Sequence, residues 1–183
     1  MSVSSTPWSV IVRLAEVQRG SPVVDLAADA ERCAALAKQF GLVELKRLSA
    51  EVRLVPWLDG AELRSRWSAD IVQICGLTVE PFETALRGEF TVRVVPADSP
   101  AAGDPEAEVA DIDPEAEDPP DVLEGDAIDV AAYVVEHLAL EIDPFPRKPG
   151  ATFEPPPEER PVSPFAVLQG LKGADKPEGD EKA

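Results

Sequence analysis

Residues 47–54, 62–73 and 86–94 read RLSAEVRL, ELRSRWSADIVQ and LRGEFTVRV, and the fold turns on the period they share. In the first stretch Leu48, Ala50, Val52 and Leu54 alternate with Arg47, Ser49, Glu51 and Arg53. In the second, Leu63, Ser65, Trp67, Ala69, Ile71 and Gln73 alternate with Glu62, Arg64, Arg66, Ser68 and Asp70. In the third, Leu86, Gly88, Phe90, Val92 and Val94 alternate with Arg87, Glu89, Thr91 and Arg93. Successive side chains of a strand point to opposite faces, so a period of two predicts three strands, each with one buried and one wet face. One-sided burial of this kind belongs to antiparallel sheets. The connections, around PWLDG at 56–60 and CGLTVEPF at 75–82, are short, which makes a meander the simplest order.

Upstream, WSVIVRL at 8–14 places Trp8, Val10, Val12 and Leu14 on one face and predicts a strand; a second short extended piece follows the turn at Gly20, Ser21 and Pro22. From Asp29 the period becomes helical: Ala30, Cys33, Ala34, Ala37 and Phe40 share a face, with Asp29 as cap and Gly41 as stop. Downstream, residues 97–126 are rich in Asp, Glu, Pro and Ala. So few bulky apolar side chains cannot offset the entropy of ordering, which predicts a disordered acidic linker. A helical pattern returns over residues 128–142, with Val130, Ala131, Val134, Val135, Leu138 and Ile142 on its apolar face. The expected architecture is α+β. A curled antiparallel sheet is covered on one face by two helices, with an acidic disordered insert and a flexible C-terminal tail. The expected divisions are a β-rich core with one helix at 1–96, the acidic linker at 97–126, a helix packing on that core at 127–145, and a tail at 146–183.

Charge follows the same divisions. Residues 1–96 carry 12 acidic and 11 basic side chains, residues 97–126 carry 12 acidic and no basic ones, and residues 127–183 carry 11 and 6. The net charge of −18 therefore sits mainly outside the sheet, and a nearly neutral folded part leaves a nucleic-acid partner open. Cys33 and Cys75 have neither CxxC spacing nor a neighbouring His, which argues against a zinc site or a disulfide scaffold and fits a reducing compartment. Residues 1–7 lack the basic and apolar regions of a secretory signal, and no apolar run is long enough for a membrane span, so a cytoplasmic protein with no membrane association is expected.

Several stretches in order carry a family likeness. They are the opening strand, the helix ending at Gly41 with a sheet after it, ICGLTVEPF at 74–82, the acidic segment, the helix over 128–142, PRKPGA at 146–151 and SPFAVL at 163–168. Together they resemble the YceD family, the bacterial large ribosomal RNA subunit accumulation proteins. The resemblance implies a role in synthesis, processing or stability of large-subunit ribosomal RNA and implies no known catalytic site. Many relatives have a second cysteine near the position of Cys75, and some a further pair near the C-terminus. Here those places hold residues 76–82 and Asp143, Pro144, Phe145 and Pro146, so the resemblance carries no metal site over to this chain.

The residues themselves point the same way. P-loop, dinucleotide, HExxH and nucleophile-elbow motifs are all missing, and the sole histidine, His137, has no nucleophile fixed beside it in sequence. A non-enzymatic protein without cofactor or metal is expected. The candidate RNA contacts are Arg47, Arg53, Arg64, Arg66, Arg87 and Arg93, each opposite the apolar row of its own strand, because arginine takes phosphate with a two-pronged fork. Acidic residues on the same face offer a plainer role in cross-strand pairs. The expected partner is ribosomal RNA or a pre-ribosomal particle, reached directly or through a protein. One alternative is an acidic adaptor that binds a basic ribosomal protein or a nuclease; another is a cryptic nuclease. In the tail, Phe165, Leu168 and Leu171 recur at helical spacing and are candidate docking residues for a partner or for the chain's own domain.

Overall fold

The computed structural model describes residues 7–102 and 118–153. The chain divides into two units, Met1–Ala151 and Thr152–Ala183, and the helices and strands among the described residues all belong to the first. In chain order they are β1 (Ile11–Arg13), α1 (Leu14–Arg19), β2 (Val23–Ala27), α2 (Ala30–Phe40), β3 (Glu44–Trp57), β4 (Gly60–Ile74), β5 (Pro81–Pro96), β6 (Asp121–Leu123), β7 (Ala127–Asp129) and α3 (Val130–Glu141). The fold is α+β, as the alternating rows predict. A five-stranded sheet runs β2-β3-β4-β5-β6, and β1 with β7 forms a separate two-stranded ribbon. Strands β2 to β5 are an antiparallel meander.

The three long strands form where the period of two places them, and each extends beyond the residues that alternate. Their apolar rows meet in one buried cluster: Leu48, Val52 and Leu54 from β3, Leu63, Trp67 and Ile71 from β4, Phe90 and Val94 from β5. The cluster also takes in Leu36 and Ala37 of α2, Val17 of α1, and Val134, Val135 and Leu138 of α3. Each fully buried aliphatic side chain stabilises the fold by about 1.5–3 kcal/mol, so this row holds the helices to the sheet. Asp29 caps α2 by accepting the Arg32 amide at 2.9 Å, and Gly41 closes it in the left-handed region at φ 66°. The register of β3 on β4 slips between Leu45 and Arg47, so Lys46 is an extra residue that keeps Leu45 and Leu48 both buried.

The structure departs from the sequence reading at several points. The opening strand is only three residues long; at Leu14 the chain turns into α1, whose Leu14 and Val17 both face the core. The late helix starts at Val130, because residues 127–129 are spent on pairing with β1, Val12 opposite Ile128. Asp129 serves both elements at once: its Oδ1 accepts the Val10 amide at 2.9 Å and the Ala132 amide at 3.3 Å. Residues 121–123, expected within the acidic linker, form β6, which runs parallel to the end of β5 and buries Leu123. Val122 and Leu123 are an apolar pair in an acidic stretch, enough to seat three residues. Residues 103–117 of that linker lie outside the described residues.

Candidate nucleic-acid interface

The meander register lays the wet face out in rows that cross the strands. Val23, Arg53, Arg64 and Thr91 stand side by side on β2 to β5. The next row is Asp25, Glu51, Arg66 and Glu89, then Ala27, Ser49, Ser68 and Arg87. Arg47 faces Asp70, and Arg93 faces Glu62. All six arginines singled out from the sequence therefore share one face.

Their surroundings differ. Arg47 pairs with Asp70 at 3.0 Å and Arg66 with Glu89 at 3.2 Å. Arg64 and Arg93 both hold Glu62, at 2.5 and 3.1 Å, and Arg93 also lies over the Trp57 ring, 5.0 Å from its centre. Glu62 is buried between them, and the two guanidinium groups, Arg64 foremost, hold its carboxyl below the usual carboxylate range. Arg53 and Arg87 have no ion-pair partner among the described residues. A groove of about 450 Å³ passes Arg53, Arg64 and Arg66 beside Glu51 and Glu89. Acids are at least as frequent as arginines here, since Asp25, Glu44, Glu51, Glu62, Asp70, Glu83 and Glu89 lie on the same face. The face can exchange ion pairs with phosphates without being a strongly positive surface.

Sequence reasoning missed Lys46, which the bulge places on this face in contact with Glu83; nothing in the alternating pattern signals a bulge. It also missed the clasp around Cys75. That side chain is fully buried, and its sulfur accepts amides from Leu77 and Thr78 at 3.4 Å and from Lys148 at 3.3 Å. Thr78, then the amides of Lys148 and Leu77, stabilise the thiolate and draw the Cys75 pKa down to about 6. The start of the expected tail is thus bound to the sheet. Gly76 donates to the Pro146 carbonyl at 2.8 Å, and Lys148 pairs with Glu80 at 2.9 Å. Cys33 is a core thiol whose pKa burial pushes up. Among the described residues no group of three or more His, Cys, Asp or Glu side chains could hold a metal ion, and no helix is long and apolar enough to cross a membrane. His137 stacks on Phe90 at 3.8 Å and shares Nδ1 with the Tyr133 carbonyl at 2.8 Å. The tail residues Phe165, Leu168 and Leu171 lie outside the described residues.

A family model, large ribosomal RNA subunit accumulation protein YceD, matches residues 63–172. The chain belongs to the YceD family. The YceD match begins in β4 and takes in β5, the clasp at Cys75, α3 and the three apolar tail residues; Arg47 and Arg53 precede it. The YceD name ties the chain to accumulation of large-subunit ribosomal RNA and describes no enzyme. Neither the curated proteins nor the solved structures gave a match to this chain.

Proposed function

We propose that this YceD protein acts in the cytoplasm as a non-enzymatic factor that holds large-subunit ribosomal RNA, or an early particle containing it, against the arginine face of its sheet. The observation that carries this reading is the gathering of six arginines from three strands on one face. Arg53 and Arg87 have no ion pair among the described residues to give up to a phosphate, and Arg47, Arg64, Arg66 and Arg93 can exchange a carboxylate for one. A-form RNA is recognised through backbone and shape, which suits a flat array of forked donors. The chain is poor in aromatic residues, 5% of the total, so base stacking is not part of the mechanism.

The experiment is a gel-shift titration of the full chain on a labelled large-subunit ribosomal RNA fragment at several salt concentrations. With two phosphates met by Arg53 and Arg87, log K should fall against log salt with a slope of roughly −1.5 to −2. Arg53→Glu with Arg87→Glu should abolish the shift, and the RNA should stay uncut. Cleavage of the RNA would favour nuclease activity and sink the non-enzymatic reading.

The even balance of acids and arginines favours a second reading, in which contact with the particle runs through a protein. The acidic residues 97–126 would draw a basic ribosomal protein or a nuclease, and Phe165, Leu168 and Leu171 would dock on it. An unchanged RNA gel, together with capture of ribosomal proteins that is lost on truncation after Pro161, would replace the first reading with this one.

A further inference from the structure

β5 is sixteen residues long, and its two edges are used very differently. The inner edge pairs with β4 from Pro81 to Val94, whereas the outer edge pairs with β6 only at Val94, Val95 and Pro96. Among the described residues nothing pairs with the outer edge of residues 81–93. A long free edge of this kind is a template for another strand, and proteins that leave one bare usually blunt it with lysines, bulges or prolines. This edge has a proline only at its start, no lysine, and an unbroken register with β4.

We propose that residues 81–89 of β5 pair antiparallel with the same residues of a second copy of this chain, about a two-fold axis at Ala85. The side chains choose this occupant. With Ala85 opposite itself, Glu83 meets Arg87 of the second copy, Arg87 meets Glu83, and Thr84 meets Leu86. Phe82 meets Gly88. Each contact occurs twice, as two-fold symmetry demands. Arg87 has no ion-pair partner among the described residues and gains one, which it would exchange for phosphate on RNA as Arg66 would exchange Glu89. Glu83, which already reaches Lys46, becomes a bridge between two cations. On the core side, Leu86 and Phe82 are only half-buried in the single chain. Gly88 leaves a gap filled by the Trp67 ring, which a β-carbon there would meet at 2.7 Å. Phe82 of the second copy, opposite Gly88, packs at the edge of that ring. Residues 81–89 also stop short of the groove that residues 91–93 share with Asp118, Pro119 and Asp121, so the paired stretch avoids the chain leading into β6. Two five-stranded sheets thereby become one of ten.

The register makes the test specific. The full chain should sediment as a dimer, and Ala85→Cys should cross-link to itself under mild oxidation, because residues paired on the axis bring their β-carbons to about 4.5–5.5 Å. Arg87→Glu or Glu83→Arg alone sets like charges opposite one another twice and should weaken the dimer by about tenfold or more. The double swap, Glu83→Arg with Arg87→Glu, should restore it to within about threefold of the original chain. Arg53→Glu lies two strands in from the edge. It should leave the dimer intact while weakening RNA binding, which separates failure of this proposal from failure of the RNA reading. A monomer at every concentration overturns the proposal. So does a dimer that ignores residues 83 and 87 and fails to cross-link at 85. Slow exchange of the β5 amides that do not bond to β4, in a monomeric chain, would show that another part of the chain covers the edge, and would equally overturn it.

Discussion

Gly88→Ala should destabilise the protein, against the intrinsic preference of the strand. By backbone entropy alone, alanine is favoured over glycine in a strand interior by about 0.5–1 kcal/mol. Here the added β-carbon would lie 2.7 Å from Cε2 and Cζ2 of Trp67 and 2.8 Å from its Nε1. The indole is rigid and 4% exposed, so it cannot swing into solvent, and β5 is fixed in register on β4 along its length. Forcing one carbon into such a space costs about 1–3 kcal/mol, and a fixed ring puts the cost near the top, which leaves about 2–2.5 kcal/mol net of the entropic gain. For a domain of this size each kcal/mol moves Tm by roughly 4 °C, so Tm should fall by about 10 °C. The cause is then isolated by repeating the substitution in a Trp67→Leu background. Without the ring, Gly88→Ala should become neutral or slightly stabilising, giving a coupling of about 2 kcal/mol or more between the two positions. Thermal and urea melts of the four chains measure this. A Tm that rises in the single variant, or a cost that persists without the indole, would refute the steric argument.

Asp129→Ala removes the cap of α3 and strands the Val10 amide, so urea melts should show a loss of about 2–3 kcal/mol. Asp129→Asn keeps an acceptor for both amides and should lose much less. The Cys75 pKa is drawn down to about 6 in the folded chain and returns to about 8.5 on unfolding. A depressed acid stabilises the fold when ionised, so this contribution should be full above about pH 8.5 and vanish as pH falls through 6. Cys75→Ser should flatten that part of the stability profile; an unchanged slope between pH 6 and 9 would mean the thiol stays protonated. Glu62→Gln breaks the bonds to Arg64 and Arg93. Since the Glu62 pKa is lowered by folding, the deficit in denaturant melts should be largest near neutral pH and shrink as the carboxylate is protonated in acid.

Strands β3, β4 and β5 were legible because period two survives any rearrangement of what lies around it, and α2 was legible because its cap and its stop are both local. The shared arginine face followed from the same period. What escaped depended on distant partners. Residues 127–129 read as the first turn of a helix until β1, more than a hundred residues earlier, supplies something to pair with. β6 is three residues whose only reason to be extended is the end of β5. The pairing state of each arginine was invisible for a related reason. Arg53 and Arg66 look alike within their strands, yet one stands opposite Arg64 and the other beside Glu89. The clasp at Cys75 needs residues 146–148; their family likeness was visible in the sequence, but nothing local tied them to a thiol more than seventy residues earlier.

The ribbon of β1 and β7 also says something about birth order. The first strand to leave a ribosome finds no mate until residue 129 has been made, and α3, which lies over β4 and β5, comes later still. Until then the part of the apolar face over β4 and β5 that α3 covers stands open beside α1 and α2, and the growing chain must wait half-built. Arrest of translation between β5 and α3 should therefore leave a nascent chain that chaperones bind and proteases cut.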